Sequence, residues 1–337
     1  MPKSLDRRSF LRFAGSTALG AAALPLVSPA IGLASMGKGQ NAAQETRMMM
    51  GTLVSVTVLD PSPVKAQEAM IAAFAAMAKL TPVFDRHRPG GPVAAFNTEG
   101  RLSDLEPRLK AVLELCQAVQ ESTGGAFNPT VAPVIDTVKA SFLQNHQPPS
   151  RQQMAKALSA VGGINYDGRS LRRTKEGASL TLDGVAKGFI VDEGLAAAAK
   201  AGASHVLINA GGDVGVLGDR GGKPWRVAVA DPDQPTKPKL TVSLTSGALA
   251  TSGDYEVYFD QERLYHHIVN PATGRIPGSG HSVSVRAPKA SLADALATAC
   301  FVMPPAQATR FLAARPSLEG LILTRFGQRY QTKGFAA

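Results

Sequence analysis

The chain has 337 residues, 44% of them hydrophobic and 18% charged, which supplies apolar material for one large domain or two medium ones and excludes a disordered chain. Its 33 glycines and 23 prolines fall in no fixed repeat and no low-complexity tract, so collagen, coiled-coil and solenoid architectures are excluded as well. The net charge is +10, but the first forty residues hold five basic groups and one acid, and no Lys/Arg run is interleaved with aromatics. Nucleic acid is therefore not the expected partner, and a small phosphate-bearing ligand suits the mild basicity better.

Arg7-Arg8 precedes an apolar stretch, Phe13 to Val27, and a small-residue site, Ser28-Pro29-Ala30. This is the twin-arginine export pattern, and it predicts a signal over residues 1–34 and a bacterial periplasmic location. No other stretch reaches the roughly 18 uninterrupted apolar residues of a membrane span. Gly32 to Lys38 spells GxxxxGK, but Gly39 follows where a P-loop needs Ser or Thr. Cys116 and Cys300 sit in apolar helical surroundings that suit buried thiols, with a single disulfide between them left open.

After a polar linker, residues 35–47, the alternation of Leu53 to Leu59 predicts a strand, and Val64 to Leu80 carries Met70, Ile71, Phe74 and Met77 at helical spacing. Leu105 to Ser122 is a second amphipathic helix ended by Gly124-Gly125. The polar stretch Ser141 to Ser150 is expected to loop outward, and Ser150 to cap a helix reaching about Ala160. Leu171 to Leu182 suggests two short strands turned at Lys175-Glu176-Gly177, followed by an Ala-rich helix over Val185 to Ala201. Strands are expected at Val206–Asn209, Trp225–Ala230, Lys239–Leu244, Leu249–Thr251, Arg263–Val269, Ser282–Arg286, Leu321–Thr324 and Tyr330–Thr332, with helices over Ser291–Met303 and Pro305–Ala314. Strands and helices mix without a regular βαβ alternation, so the fold class is α+β, with mixed or antiparallel sheets flanked by helices.

Four constellations carry candidate chemistry. In a helix capped by Ser291, Asp294 and Thr298 stand at i and i+4 and turn their oxygens one way, which suits a hard cation such as Mg²⁺. The same spacing also suits a dipole-favoured Asp beside a Thr bonded to the backbone. Leu182-Asp183-Gly184-Val185-Ala186-Lys187-Gly188 enters a helix, where free N–H groups and a lysine attract phosphate, although a packing turn reads equally well. Ala210-Gly211-Gly212-Asp213 lacks the GxGxxG order of a dinucleotide loop and reads as a tight turn. The fourth runs from Thr251 to Glu256 and on to Tyr265–Gly274. In a strand, His266 and His267 would face opposite ways, which argues against a two-histidine zinc centre and leaves one of them as a base or a core histidine.

Taken in order, Met50-Gly51-Thr52, Gly125 to Val131, Gly184 to Phe189, Val206 to Asp213, Ala250 to Tyr255, His266 to Pro271 and Ala293 to Thr298 resemble the signature blocks of the ApbE family of FAD:protein FMN transferases over about residues 48–330. The resemblance implies a two-lobed flavin transferase domain over 48–337. It implies a Mg²⁺-dependent reaction that splits FAD, joins FMN to a Thr or Ser of an acceptor protein, and releases AMP. Asp294, Thr298 and the Gly184 carbonyl match the family's metal ligands, and His267 matches its conserved histidine, the candidate for taking the acceptor hydroxyl's proton. Lys187, Met50, Ala126, Phe127, Asn128 and Ile268 match positions around FAD. The export signal points to acceptors outside the cytoplasm, such as subunits of membrane electron-transfer complexes. Departures fall at His87, where the family has a tyrosine, at Asn128 in place of an aspartate, and at Thr181, where an acid is lost while Asp183 appears two residues on. FAD hydrolysis and non-catalytic flavin carriage are the rival activities.

Overall fold

The computed structural model describes residues 41–335 except 233, 235, 236, 261–263 and 279, so the export signal, its cleavage site and the GxxxxGK stretch lie outside the described residues. In chain order the elements are β1 (Asn41–Met49), β2 (Thr52–Asp60), α1 (Pro63–Phe84), α2 (Pro92–Glu99), β3 (Arg101–Leu102), α3 (Pro107–Ser122), α4 (Ala132–Asn145), α5 (Arg151–Ala160), β4 (Ile164–Tyr166) and β5 (Leu171–Arg173). Then come α6 (Ala186–Lys200), β6 (His205–Ala210), β7 (Asp213–Leu217), β8 (Trp225–Ala230), β9 (Pro238–Leu244), β10 (Gly247–Gly253), β11 (Gly280–Ala287), α7 (Ala290–Val302), α8 (Pro305–Ala313), β12 (Glu319–Thr324) and β13 (Arg329–Gln331).

An eight-stranded sheet in the order β1-β2-β6-β7-β10-β11-β12-β13 organises the molecule, and every adjacent pair in it is antiparallel. Period-two alternation sorts its side chains. Val206, Ile208 and Ala210 of β6 join the large core under α1, α6 and α7, while Leu207 joins Val214, Val216 and Leu249 beneath the β8–β9 hairpin, with Trp225 at its centre. Helix α7 is apolar nearly all round and correspondingly buried, with Asp294 inside that surface. A third small cluster of Val134, Ala157 and Val269 ties α4 and α5 to the segment leading to Ile276.

Several expectations are corrected. The stretch read as polar linker contains β1, whose register runs from Asn41↔Asp60 to Met49↔Thr52; as an edge strand it is largely exposed, which is why its polarity resembles a linker. Of the stretch expected to loop outward, Ser141 to Asn145 is instead the end of α4, with Ser141 and Phe142 buried, while residues 146–150 leave the helix as expected. Leu171 to Leu182 gives one strand, β5, which pairs with the preceding β4 as a hairpin and with the distant β3, and not with a second strand after Lys175-Glu176-Gly177. Arg263 to Val269 is not a strand: its described part makes one bridge, Tyr258↔His266. Ser150 does cap α5, in a reciprocal box with Gln153. Both cysteines are buried free thiols.

Candidate active site

Two helix starts meet at the centre of the site, and each is capped by the other. Gly188 in the first turn of α6 donates its N–H to the Asp294 carboxylate at 3.0 Å. In return Asp192, one turn further along α6, accepts from Ala290 N at 2.8 Å, Ser291 N at 3.0 Å and Ser291 Oγ at 2.6 Å, and so caps α7. Ser291 is therefore not the N-cap expected from sequence; Lys289 holds that position without a side-chain bond, and the acceptor comes from another helix. Gly188 permits the approach, since a Cβ there would lie 2.3 Å from the Ala290 carbonyl oxygen. Gly184 is tight for the same kind of reason, with Thr298 Oγ1 3.0 Å and a Phe127 ring carbon 3.4 Å from where a Cβ would stand.

These contacts put Asp294, Thr298, Lys187 and the Gly184 backbone on one wall of a cleft enclosing about 110 Å³. The same cleft is lined by Ala126, Phe127 and Asn128, by Thr181, and by the His267–Ile268 segment. Ten of the twelve residues singled out from sequence line this cleft. The other two do not: Met50 packs half-buried against the main core in the β1–β2 turn, and His87 is exposed, its N–H held by Asp85. A larger cavity of about 520 Å³ opens behind the Gly124–Thr130 loop, and none of the twelve lines it. Chemistry, not volume, singles out the site.

The departures at Asn128 and Thr181 have local jobs. Asn128 Oδ1 accepts from Thr130 N at 2.9 Å and Thr130 Oγ1 at 2.7 Å, fixing the turn of the contact loop. Thr181 donates its N–H to Pro129 O at 2.8 Å and accepts from Asp183 N at 3.3 Å. Asp183 stays exposed at the rim, 3.6 Å from Arg86 Nε, while the terminal nitrogens of that arginine grip Asp136.

The two histidines resolve into the two roles left open by the sequence. His266 is fully buried, with its ring edge-on to Phe301 and its Nδ1 accepting from Ile268 N, and burial pushes its pKa down to about 4. His267 lines the cleft, 3.1 Å from the Val257 carbonyl through Nδ1. A carbonyl only accepts, so Nδ1 carries the hydrogen and Nε2 is the basic nitrogen. Burial lowers its pKa, so the ring is neutral at physiological pH.

Three acids surround one ammonium. Lys187 Nζ lies 3.1 Å from Asp213 Oδ2. Burial disfavours that ammonium, but Asp213, Glu256 and Asp294 together raise its pKa. Burial raises the pKa of Asp294 well above the ordinary carboxylate value, and the charge of Asp213 adds to it. Burial likewise brings Glu256 up to about 7. The surplus of negative groups over positive ones is what a divalent cation would offset, and a carboxylate, a hydroxyl and a backbone carbonyl are hard donors of the kind Mg²⁺ takes. Among the described residues no group of three or more His, Cys, Asp or Glu side chains is arranged to hold a metal, so such an ion would depend on the hydroxyl, the carbonyl and substrate oxygens. Asp192 is the site residue that motif reading passes over, while Asp213 and Glu256 fall inside stretches singled out from sequence without a role of their own. For Asp192 a signal exists: it stands at i+4 from Gly188, on the face that α7 must cover.

A family model described as ApbE matches residues 50–322. The chain belongs to the ApbE family. It is 28% identical to the FAD:protein FMN transferase of Treponema pallidum over 88% of this chain and 89% of that one. It is 31% identical to the enzyme of the same name from Rhodobacter capsulatus over 77% of this chain, which spans about half (51%) of that relative's length. Among solved structures, the ApbE protein of Thermotoga maritima superposes with a TM-score of 0.79 at 28% identity, covering 88% of this chain and 100% of that one. The flavin transferase ApbE from Vibrio cholerae shares the fold, with a TM-score of 0.77 at 22% identity over 88% of this chain and 98% of that one. Among the described residues no helix is long and apolar enough to cross a membrane.

Proposed function

We propose that this ApbE-family chain is a periplasmic, twin-arginine-exported FAD:protein FMN transferase that moves FMN from FAD to a Ser or Thr hydroxyl of an acceptor protein and releases AMP. The observation that carries the reading is the convergence of Asp294, Thr298 and Lys187 with His267 and the Ala126–Asn128 wall in one cleft. Mg²⁺ bound through the Asp294 carboxylate, the Thr298 hydroxyl and the Gly184 carbonyl would offset the charge of the pyrophosphate.

The chain's own groups then divide the work. Lys187 presents an ammonium to the phosphates. Phe127, Ile268 and the backbone of Ala126–Asn128 supply the apolar and peptide surface against which the flavin end is oriented. The acceptor oxygen forms a bond to the FMN-side phosphorus as that phosphorus loses its bond to the AMP phosphate oxygen, and Nε2 of His267 takes the hydroxyl proton. AMP leaves with the bonding electron pair.

Incubating the purified protein with FAD and Mg²⁺, with and without a Thr-containing acceptor domain, tests this. The expected result is AMP release that requires the acceptor, with FMN retained covalently on it. Release without acceptor assigns hydrolysis instead, and binding without release assigns a carrier.

A further inference from the structure

The Gly211-Gly212-Asp213 motif has no part in the chemistry described so far, yet the fold takes trouble to place it. Asn209 Oδ1 accepts from Gly212 N at 3.0 Å, and the two glycines turn β6 into β7 with φ of 61° and 107°. A Cβ on Gly211 would meet Thr52 Oγ1 at 2.4 Å, so this turn seats directly against the start of β2. Register then sends Asp213 to the helix-facing side of the sheet, opposite Val214, where it is 1% exposed and paired with Lys187.

We propose that Asp213 is a positioning residue that holds the Lys187 ammonium away from Asp294 and so keeps the Asp294 carboxylate free for a divalent cation. Lys187 feels three carboxylates, those of Asp213, Glu256 and Asp294. With Asp213 in place the ammonium is anchored on the β7 side. Without that charge it is drawn toward the remaining two, and an ammonium on Asp294 competes with a cation for the same oxygens. The device gives the motif a function: the glycine turn fixes a carboxylate whose task is to occupy a lysine.

The proposal rests on the divalent-cation reading above, and Mn²⁺ binding to the mature protein without FAD, followed by electron paramagnetic resonance and calorimetry, separates the two. Saturable Mn²⁺ binding by the wild type is expected, and its absence overturns the cation reading itself. Asp213→Asn should weaken Mn²⁺ binding about tenfold or more with the circular-dichroism melt retained. Asp213→Glu should retain it, and the double variant Asp213→Asn/Lys187→Gln should return to within about threefold of wild type, because no ammonium is left to compete. A merely structural role for Asp213 would not be rescued by removing Lys187. Wild-type affinity in Asp213→Asn, or a double variant no tighter than the single, overturns the proposal. If Asp213→Asn does not fold, the double variant alone decides: affinity ten times weaker than wild type, about 1.4 kcal/mol, rejects it.

Discussion

Asp294, Thr298 and Lys187 stand on two helices whose ends cap one another inside the main core, whereas His267 and Glu256 stand on the 254–270 segment, which leaves Val257 50% and Leu264 56% exposed. The described part of that segment is tied down by side chains and by its own backbone: Asp254 takes Arg325 at 2.9 Å and His281 at 2.8 Å, Asp260 accepts from Leu264 N and Tyr265 N, and Phe259 N and His267 N donate to Tyr265 O and Val257 O. The contrast follows from what each half must do. On the proposed function, oxygens that would grip a cation and a pyrophosphate have to be fixed before substrate arrives, and buried helix starts suit this because neither end can move without uncapping the other. On the same proposal the side that would receive another protein's hydroxyl has to be reachable, and Val257 and Leu264 are exposed there while Asp254, His266 and Ile268 are buried beneath them.

The comparison breaks first at Asp294. Asp294→Asn keeps an oxygen for the Gly188 N–H but removes the charge that would hold a cation, so FMN transfer at saturating FAD should fall about 10³-fold while the thermal melt stays close to wild type. Retention of a tenth of the rate would show that the helix-borne half is not where the charge is offset.

His267→Ala should lower transfer by about 10²- to 10³-fold with FAD affinity within about threefold of wild type, since the ring acts on the proton and not on the dinucleotide. Burial sets the folded pKa of this ring below its ordinary 6.5, so the neutral, proton-accepting form prevails above that value. The rate should therefore fall as pH drops through a midpoint below 6.5, stay level above it on account of this group, and lose that acid limb in the alanine variant.

Gly188→Ala sharpens the contrast in stability. Its Cβ would press on the Ala290 carbonyl from 2.3 Å and drive the two helix starts apart, at a cost of about 3 kcal/mol read from the denaturation midpoint. Val257→Ala, on the loop-borne side, should cost less than about 0.5 kcal/mol by the same measurement. The smallest effect is expected at His87, outside the cleft and exposed: His87→Ala should change FAD affinity by less than about threefold in a fluorescence titration.

Most of the cleft was legible before the fold because its residues sit in short local motifs. The i, i+4 spacing of Asp294 and Thr298 makes one helix face of them whatever surrounds it, and Gly184 to Gly188 marks a helix entry by itself. Elements that depend on partners far along the chain were harder to see. Edge strand β1 carries few buried residues to signal its period, and α4 runs through the polar residues Gln144 and Asn145 because its inner face, not its outer one, packs on the core. His266 and His267 look alike in sequence. Phe301 covers one and the cleft receives the other, a difference no adjacent residue encodes.

What the sequence determined by itself is the set of chemical parts and their order: a carboxylate and a hydroxyl on one helix turn, a lysine and glycines at another helix entry, a histidine pair, and the alternation that makes antiparallel strands. What the tertiary structure alone decided is how those parts are held. Gly188 meets Asp294 across 106 residues, and Asp192 meets Ser291 across 99. Asp213 reaches Lys187 because β7 lies under α6 in the sheet order. Local periodicity follows from backbone geometry and can be read along a chain, whereas caps and ion pairs between distant segments exist only once burial has brought them within hydrogen-bonding distance and excluded the water that would otherwise satisfy them.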